Sequence, residues 1–311
     1  MVAVVTAMWV FAFLSKRFET VAAGVAALAP AEFERFTLVT LGSGGTFENH
    51  WRRGPALAIG EAEDLLLIDA GRGVTESLRA AAIPPRQVRL LLLTSLAAEN
   101  LLGLDELWLT GWLRGREGSL VVHGPAGTRA LVEGLTQALA RQADEQAAAW
   151  DLSPAGRAIE VHELTEPTTL AWGALTAHGE PLAGGPTPTL SWRVSTDSFS
   201  VVVALGTADD AALVEAAQDA DFWVTEAIYG ASLDRAVEGG SEGLEALLRE
   251  AEAHPRLEAL GGLARRAGVR SLVLTRLRPP PPFAFQYEDV VEDGGFRGPV
   301  YVPDDGDRLT P

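Results

Sequence analysis

The chain contains no cysteine, and its only histidines are His50, His123, His162, His178 and His254. The first absence excludes disulfides, thiolate metal sites and a cysteine nucleophile. The second restricts imidazole chemistry, because no two of these histidines lie close enough in sequence to form a local ligand pair. Positive charge is also scarce. Twenty-five basic residues face 42 acids, for a net charge of −17, and a surface of that sign repels phosphate backbones. The densest basic groups, such as Arg52-Arg53 and Arg265-Arg266, are only pairs, so nucleic acid is not an expected partner. No short solenoid repeat is present. Gly42-Ser43-Gly44-Gly45 lacks both the Gly-x-Ser-x-Gly frame and a P-loop lysine, and a tight turn explains it.

Val2 to Leu14 is uncharged and almost wholly apolar, and Lys16-Arg17 brings that run to an end. As a helix it spans about 20 Å against ~30 Å of hydrocarbon. It lacks a basic n-region, and no small-residue cleavage site follows promptly. We read 1–31 as an N-terminal hydrophobic and then weakly amphipathic segment, attached to a membrane through residues 2–15. The expected location is the inner membrane with the side left open, Lys16-Arg17 being the one pointer to a cytoplasmic domain by the positive-inside rule; a cytoplasmic protein is the alternative. Residues 32–311 form one domain.

After Pro30 the pattern alternates strands and helices. FTLVTLG runs into the glycine turn, PALAIG and LLLIDAGRG follow, and VTESLRAAAI is a helix stopped by Pro84-Pro85. VRLLLLT is apolar throughout, as in a strand buried on both faces. LVVHGPAG precedes a long helix over 128–149. The second half repeats the style, with strands in LTAHGEP, TLSWRVS, FSVVVALG, DFWVTEA, VRSLVLTRL and PVYVP and a helical stretch over 241–267 broken at His254-Pro255. Two such halves imply two sheets packed face to face with helices outside. Residues 279–298, rich in proline, glycine and acids, are the expected mobile segment.

In this order and spacing, LVTLGSGG, LLLIDAGRG, LLLTSLAAENLLGLDELWLTGW, LVVHGPAGTRALVEGL, TAHGEPLAGGPTPTLSWRVS, VVVALGTADD, FWVTEAIYG and AGVRSLVLTRLRPP resemble the metallo-β-lactamase-fold hydrolases. The similarity is to the branch of tRNA 3′-processing ribonuclease Z and its membrane-anchored bacterial relatives, over residues 36–309. It implies an α/β fold, a four-layer αββα sandwich, and in the family a zinc-dependent hydrolytic centre. The family's metal turn reads Thr-His-x-His-x-Asp-His. Here Ser95 and Ala97 match the first two histidines, Glu99 the aspartate and Asn100 the last histidine. His178 matches the next ligand, Gly206 the bridging aspartate, Thr225 a histidine and Arg276 the final one, while Asp69 keeps the family's acidic strand-end position.

A catalytic zinc wants three protein ligands and an open position for water. Ser, Ala, Gly and Thr do not hold it tightly. No cofactor is therefore expected, and a metal, if held, would use Glu99, Asn100 and His178. The expected function is a metal-free pseudoenzyme that binds a protein or a small molecule of unknown identity. The alternative is a zinc-dependent hydrolase of the ribonuclease Z branch with atypical ligation, extended by Asp209 or Asp210. A metal-free enzyme using the old cleft is a third reading, but no base–nucleophile pair supports it. An Arg276–Glu99 ion pair, bonded also to Asn100, is expected to close the former site. Asp209-Asp210 read more simply as an N-cap and first-turn acid, and His123 and His162 as structural. Trp108 and Trp112 share one helix face as core, or as a wall of the old cleft.

Overall fold

The computed structural model describes residues 2–46, 50–185 and 187–311. Helix α1 (Val2–Val25) precedes a sheet built from β1 (Phe33–Gly42), β2 (Ala56–Ala62), β3 (Asp64–Ile68), β4 (Leu90–Leu92), β5 (Leu120–Pro125) and β6 (Ile159–Leu164). A second sheet holds β7 (Thr168–Trp172), β8 (Leu175–Leu182), β9 (Thr189–Ser195), β10 (Ser200–Val203), β11 (Phe222–Ile228), β12 (Ser271–Arg278) and β13 (Val300–Tyr301); β14 (Arg308–Leu309) returns to the edge of the first. The strand orders are β14-β1-β2-β3-β4-β5-β6 and β13-β12-β11-β10-β9-β8-β7. Each sheet is antiparallel on one side and parallel on the other, with β3 to β6 parallel in the first and β10 to β13 in the second. The carboxyl ends of those parallel strands deliver Asp69, Thr94, Gly206, Glu226 and Arg276.

Strand periodicity explains the layers. Alternate residues of β2 and β3 face opposite ways: Leu57, Ile59, Leu66 and Ile68 join the core between the sheets, while Ala58, Leu65 and Leu67 face the outer helices. Helices α2 (Val74–Ala80), α3 (Ala98–Leu101), α4 (Leu104–Leu113), α5 (Thr128–Trp150) and α6 (Pro154–Arg157) accompany the first sheet. The second carries α7 (Asp210–Ala217), α8 (Gly230–Glu238), α9 (Glu245–Ala251), α10 (Leu257–Ala267) and α11 (Phe285–Asp293). The result is the αββα sandwich that the motifs imply. Trp108 and Trp112 are fully buried, and their indole N–H groups donate to the carbonyls of Arg157 and Ser153. They are core, not a cleft wall.

Three strands, β6, β7 and β14, are absent from the sequence reading. Residues 279–298, expected to be a mobile loop, instead contain α11, whose Tyr287 and Val291 are buried in the core shared with α10. At the N-terminus no helix among the described residues is long and apolar enough to cross a membrane.

Candidate functional site

Two buried arginines occupy the rim formed by the parallel strand ends. Arg276 donates from Nη2 to Asp69 Oδ2 at 2.6 Å. The same carboxylate accepts the Thr94 backbone N–H at 2.8 Å and the Thr94 hydroxyl at 2.8 Å. Burial pushes the Asp69 carboxyl up to about 6, against the lowering pull of Arg276 and Thr94. Both partners sit in left-handed backbone, with φ 60° at Asp69 and 50° at Arg276, a conformation that non-glycine residues adopt at some cost.

Arg278 is the second centre. Its Nη2 contacts Glu99 Oε2 at 3.0 Å and its Nη1 contacts Glu226 Oε2 at 3.1 Å. Its Nε lies 2.8 Å from Glu250 Oε2, close enough for charge attraction although the N–H is not aligned for a hydrogen bond. Burial would lower the guanidinium's pKa, but Glu226, Glu99 and Glu250 outweigh it and raise it. Thr46 completes the shell, donating from its hydroxyl to Glu99 Oε2 at 2.6 Å and accepting from Arg278 at 3.2 Å.

Glu226 is also bound on its other oxygen. Its Oε1 accepts the Gly206 N–H at 2.5 Å and lies 2.7 Å from His254 Nδ1. Burial alone would raise this carboxyl; the His254 hydrogen bond and the charges of His254 and Arg278 hold it well below the usual carboxylate range. An ionised Glu226 makes Nδ1–H the donor, which leaves the lone pair of a neutral ring on Nε2. A histidine held this way by a buried carboxylate has the orientation of a general base.

The expected Arg276–Glu99 pair is not formed. Arg276 takes Asp69, and the guanidinium beside Glu99 belongs to Arg278. The cause is a break in strand alternation: Leu274 and Leu277 both face the outer core, three positions apart instead of two. The left-handed φ at Arg276 absorbs the extra residue and turns Arg276 and Arg278 together into the rim. Asn100 does not bond to Arg276 either. Its amide N–H groups donate to Thr94 Oγ1 at 3.1 Å and Ser95 Oγ at 2.8 Å. Ser95 Oγ in turn accepts the Ala97 N–H at 3.2 Å.

The remaining sequence-chosen residues are scattered. His178 is half-exposed, with Nδ1 2.7 Å from the Thr169 hydroxyl and Nε2 4.0 Å from Glu180. Its neighbour Ala177 faces the inter-sheet core, so His178 faces outward. Ser95 bridges to Thr189, which pairs with Leu182 on β8. His178 is four residues back along that strand, roughly 13 Å at ~3.3 Å per residue. Thr225 lies between Trp223 and Ala227, which belong to the outer core, and so faces away from Glu226. Gly206 sits at φ 80° and contributes only its N–H. Asp209 caps α7, accepting from Ala211 and Ala212 at 3.0 and 3.1 Å, and Asp210 is that helix's first residue.

Zinc, which the resemblance implies, does not fit this donor set. Glu99 is engaged by a guanidinium and a hydroxyl, His178 is remote, and Ser95, Ala97, Gly206 and Thr225 supply no strong ligand. The Asn100 Oδ1 atom is buried without a partner, but a neutral amide oxygen alone binds zinc poorly. Two guanidiniums nearby repel a dication. Among the described residues no group of three or more His, Cys, Asp or Glu side chains is placed to hold a metal ion. Sequence reasoning missed Arg278, Glu250, Thr46 and the His254–Glu226 pair. One signal was available: Arg-Leu-Arg at the end of an apolar strand places two charges where burial demands partners.

No family model matches the sequence. Ribonuclease Z of Mycobacterium sp. (strain KMS) is 30% identical over 243 residues, covering 77% of this chain and 83% of the relative. Two solved structures share the fold. The metallo-β-lactamase fold protein YhfI from Bacillus subtilis has a TM-score of 0.66 at 15% identity, covering 88% of this chain and 99% of that one. Human tRNase Z, short form, has a TM-score of 0.64 at 16% identity, covering 88% and 98%. With a relative at that identity along most of both chains, and with the two-sheet sandwich, this protein belongs to the ribonuclease Z family of the metallo-β-lactamase fold.

Proposed function

We propose that this chain is a ribonuclease Z-family protein that works without the family's metal chemistry, as a module binding a protein or small molecule at or near the former cleft. One observation carries the reading: Arg278 occupies the space among Glu99, Glu226 and Glu250 as the internal counter-charge of three carboxylates. A fixed guanidinium in that place offsets part of the acids' charge and supplies no Lewis-acid site for water. The test is elemental analysis of purified protein after dialysis against trace zinc. Less than about a tenth of an equivalent is expected, since tight binding needs three protein ligands. Near-stoichiometric zinc, lost in Glu99→Gln, overturns the reading.

A second reading, a hydrolase of the ribonuclease Z branch with atypical metal ligation, is favoured by the kinship with ribonuclease Z and by the His254–Glu226 pair at the rim. It predicts zinc-stimulated cleavage of a simple phosphodiester such as bis(p-nitrophenyl) phosphate, abolished in His254→Asn. The first reading predicts no cleavage above buffer with either protein.

A further inference from the structure

Helix α1 exposes large apolar side chains on every side. Trp9 and Phe11 are each 74% exposed, Phe13 61%, Leu14 58%, Phe18 75% and Val21 67%. Met8 (67% exposed) and Val10 (51%) belong to the same set, and at 100° per residue Met8, Trp9, Val10 and Phe11 follow one another round the helix, with Phe13 beside Trp9 and Leu14 beside Val10. A helix pairing with one copy of itself needs a single apolar stripe. One that is apolar all round needs an apolar medium on all sides.

Length and charge say how much of that medium it reaches. Val2 to Leu14 carries no charge and Lys16-Arg17 follows. The uncharged part extends about 20 Å, more than one leaflet's ~15 Å of hydrocarbon and short of the ~30 Å of a full core. This agrees with the absence of any described helix long and apolar enough to cross. Lys16 and Arg17 then fall at headgroup depth, where anionic phosphates attract them. Just beyond the helix the chain is tied to the folded body. Arg79 donates to the Ala26 carbonyl at 3.1 and 3.0 Å, and Arg86 to that of Leu28 at 2.7 Å. The Gln87 amide makes a two-way bond with the Ala31 backbone at 2.7 and 2.8 Å. The strap leaves little slack between helix and domain.

We infer that the Val2–Leu14 part of α1 inserts at a tilt into one leaflet of a lipid bilayer, with Lys16 and Arg17 at the headgroups, and that the pinned strap over 26–31 holds the domain against the surface. The partner is the bilayer itself, and the proposal does not depend on what the cleft does. The test is flotation of the full chain with phosphatidylcholine vesicles, with and without phosphatidylglycerol, beside the double variant Phe11→Asp, Phe13→Asp. Both substitutions lie on exposed positions outside the domain, and circular dichroism confirms that the variant is folded. The wild type is expected to float, better with the anionic lipid. The variant should bind roughly 100-fold more weakly, from two lost side-chain burials of ~1.5 kcal/mol or more each. Lipids brominated on the acyl chains should quench fluorescence that disappears in Trp9→Phe. Two results overturn the inference: a wild type that stays with the unbound protein, including as a dimer by light scattering, or a floating protein whose Trp9 is not quenched.

Discussion

Arg278 is the residue on which the rim turns. Removing it leaves Glu99 and Glu226 as buried carboxylates, 7% and 0% exposed at their side chains, Glu99 without an ion-pair partner and Glu226 with His254 alone. Breaking a buried pair from one side costs about 3–5 kcal/mol, so Arg278→Leu should lose about that much in urea unfolding. Arg278→Lys should recover part of it, because a point charge cannot face Glu99 and Glu226 with two separate N–H forks. A loss below about 1 kcal/mol for Arg278→Leu, in the range of a surface pair, would show that Thr46 and His254 satisfy these carboxylates without the guanidinium. His123 makes a second prediction. Burial lowers its pKa to about 4, with the neighbouring His162 charge adding to the effect, and the two rings stack at 4.6 Å. The unfolded chain therefore binds a proton that the folded chain does not between the ordinary histidine value of ~6.5 and about 4. Stability should fall as pH drops through that window, and His123→Leu should flatten this part of the profile. Glu226 acts lower: its depressed pKa stabilises the fold above the ordinary carboxylate range and is lost as pH falls below it. At this scale the sequence was a partial guide. It marked Arg276 and Glu99 as rim residues but paired them wrongly, because a left-handed φ near the end of an apolar strand leaves no trace in residue types.

At the scale of elements, the parallel strands were the legible part. VRLLLLT and VRSLVLTRL are apolar on both faces because sheets covered by helices and by each other demand it. The strands missed were of another kind. β6 and β7 are mostly exposed or half-buried, and β14 has only Arg308 and Leu309, so neither an apolar run nor a long alternation announces them. Helix α7 was read correctly through its cap, and that cap can be measured. Asp209 accepts two backbone N–H groups, and replacing such a cap by alanine costs ~1 kcal/mol. Asp209→Ala should therefore lower stability by about that amount without changing zinc content. A change in metal content would instead mark Asp209 as a ligand. The placement of His178 is likewise an element-scale fact. Matching motifs in order put it at a ligand position, whereas strand register puts it four residues along β8 and on the outward face.

For the whole molecule the metal-free reading raises the question of what ties the two sheets together at the rim. The rim joins them by Arg276 to Asp69 and by Arg278 to Glu99, each an arginine of the second sheet holding an acid of the first-sheet side. Thr94 adds a backbone link, its carbonyl accepting Leu190 N–H from β9 at 2.7 Å. The groups that make these ties belong to the chain itself and, unlike a bound ion, are not lost to a chelator. A ligand present at a hundred times its dissociation constant would add about 2.7 kcal/mol to stability, which moves the melting temperature of a domain this large by several degrees. On the metal-free reading proposed above no such linkage exists. Differential scanning calorimetry of the full chain should therefore give the same midpoint with added zinc, without it and after chelator. The comparison with Arg278→Leu sharpens the argument. If the guanidinium stands where a cation would otherwise be drawn, removing it exposes Glu99, Glu226 and the orphaned Asn100 Oδ1, and zinc should stabilise the variant more than the wild type. Equal midpoints in zinc and chelator for both proteins would mean that the rim has lost its metal geometry as well as its ligands. A wild type that shifts by several degrees would restore the metal to the family mechanism and set the binding-module reading aside.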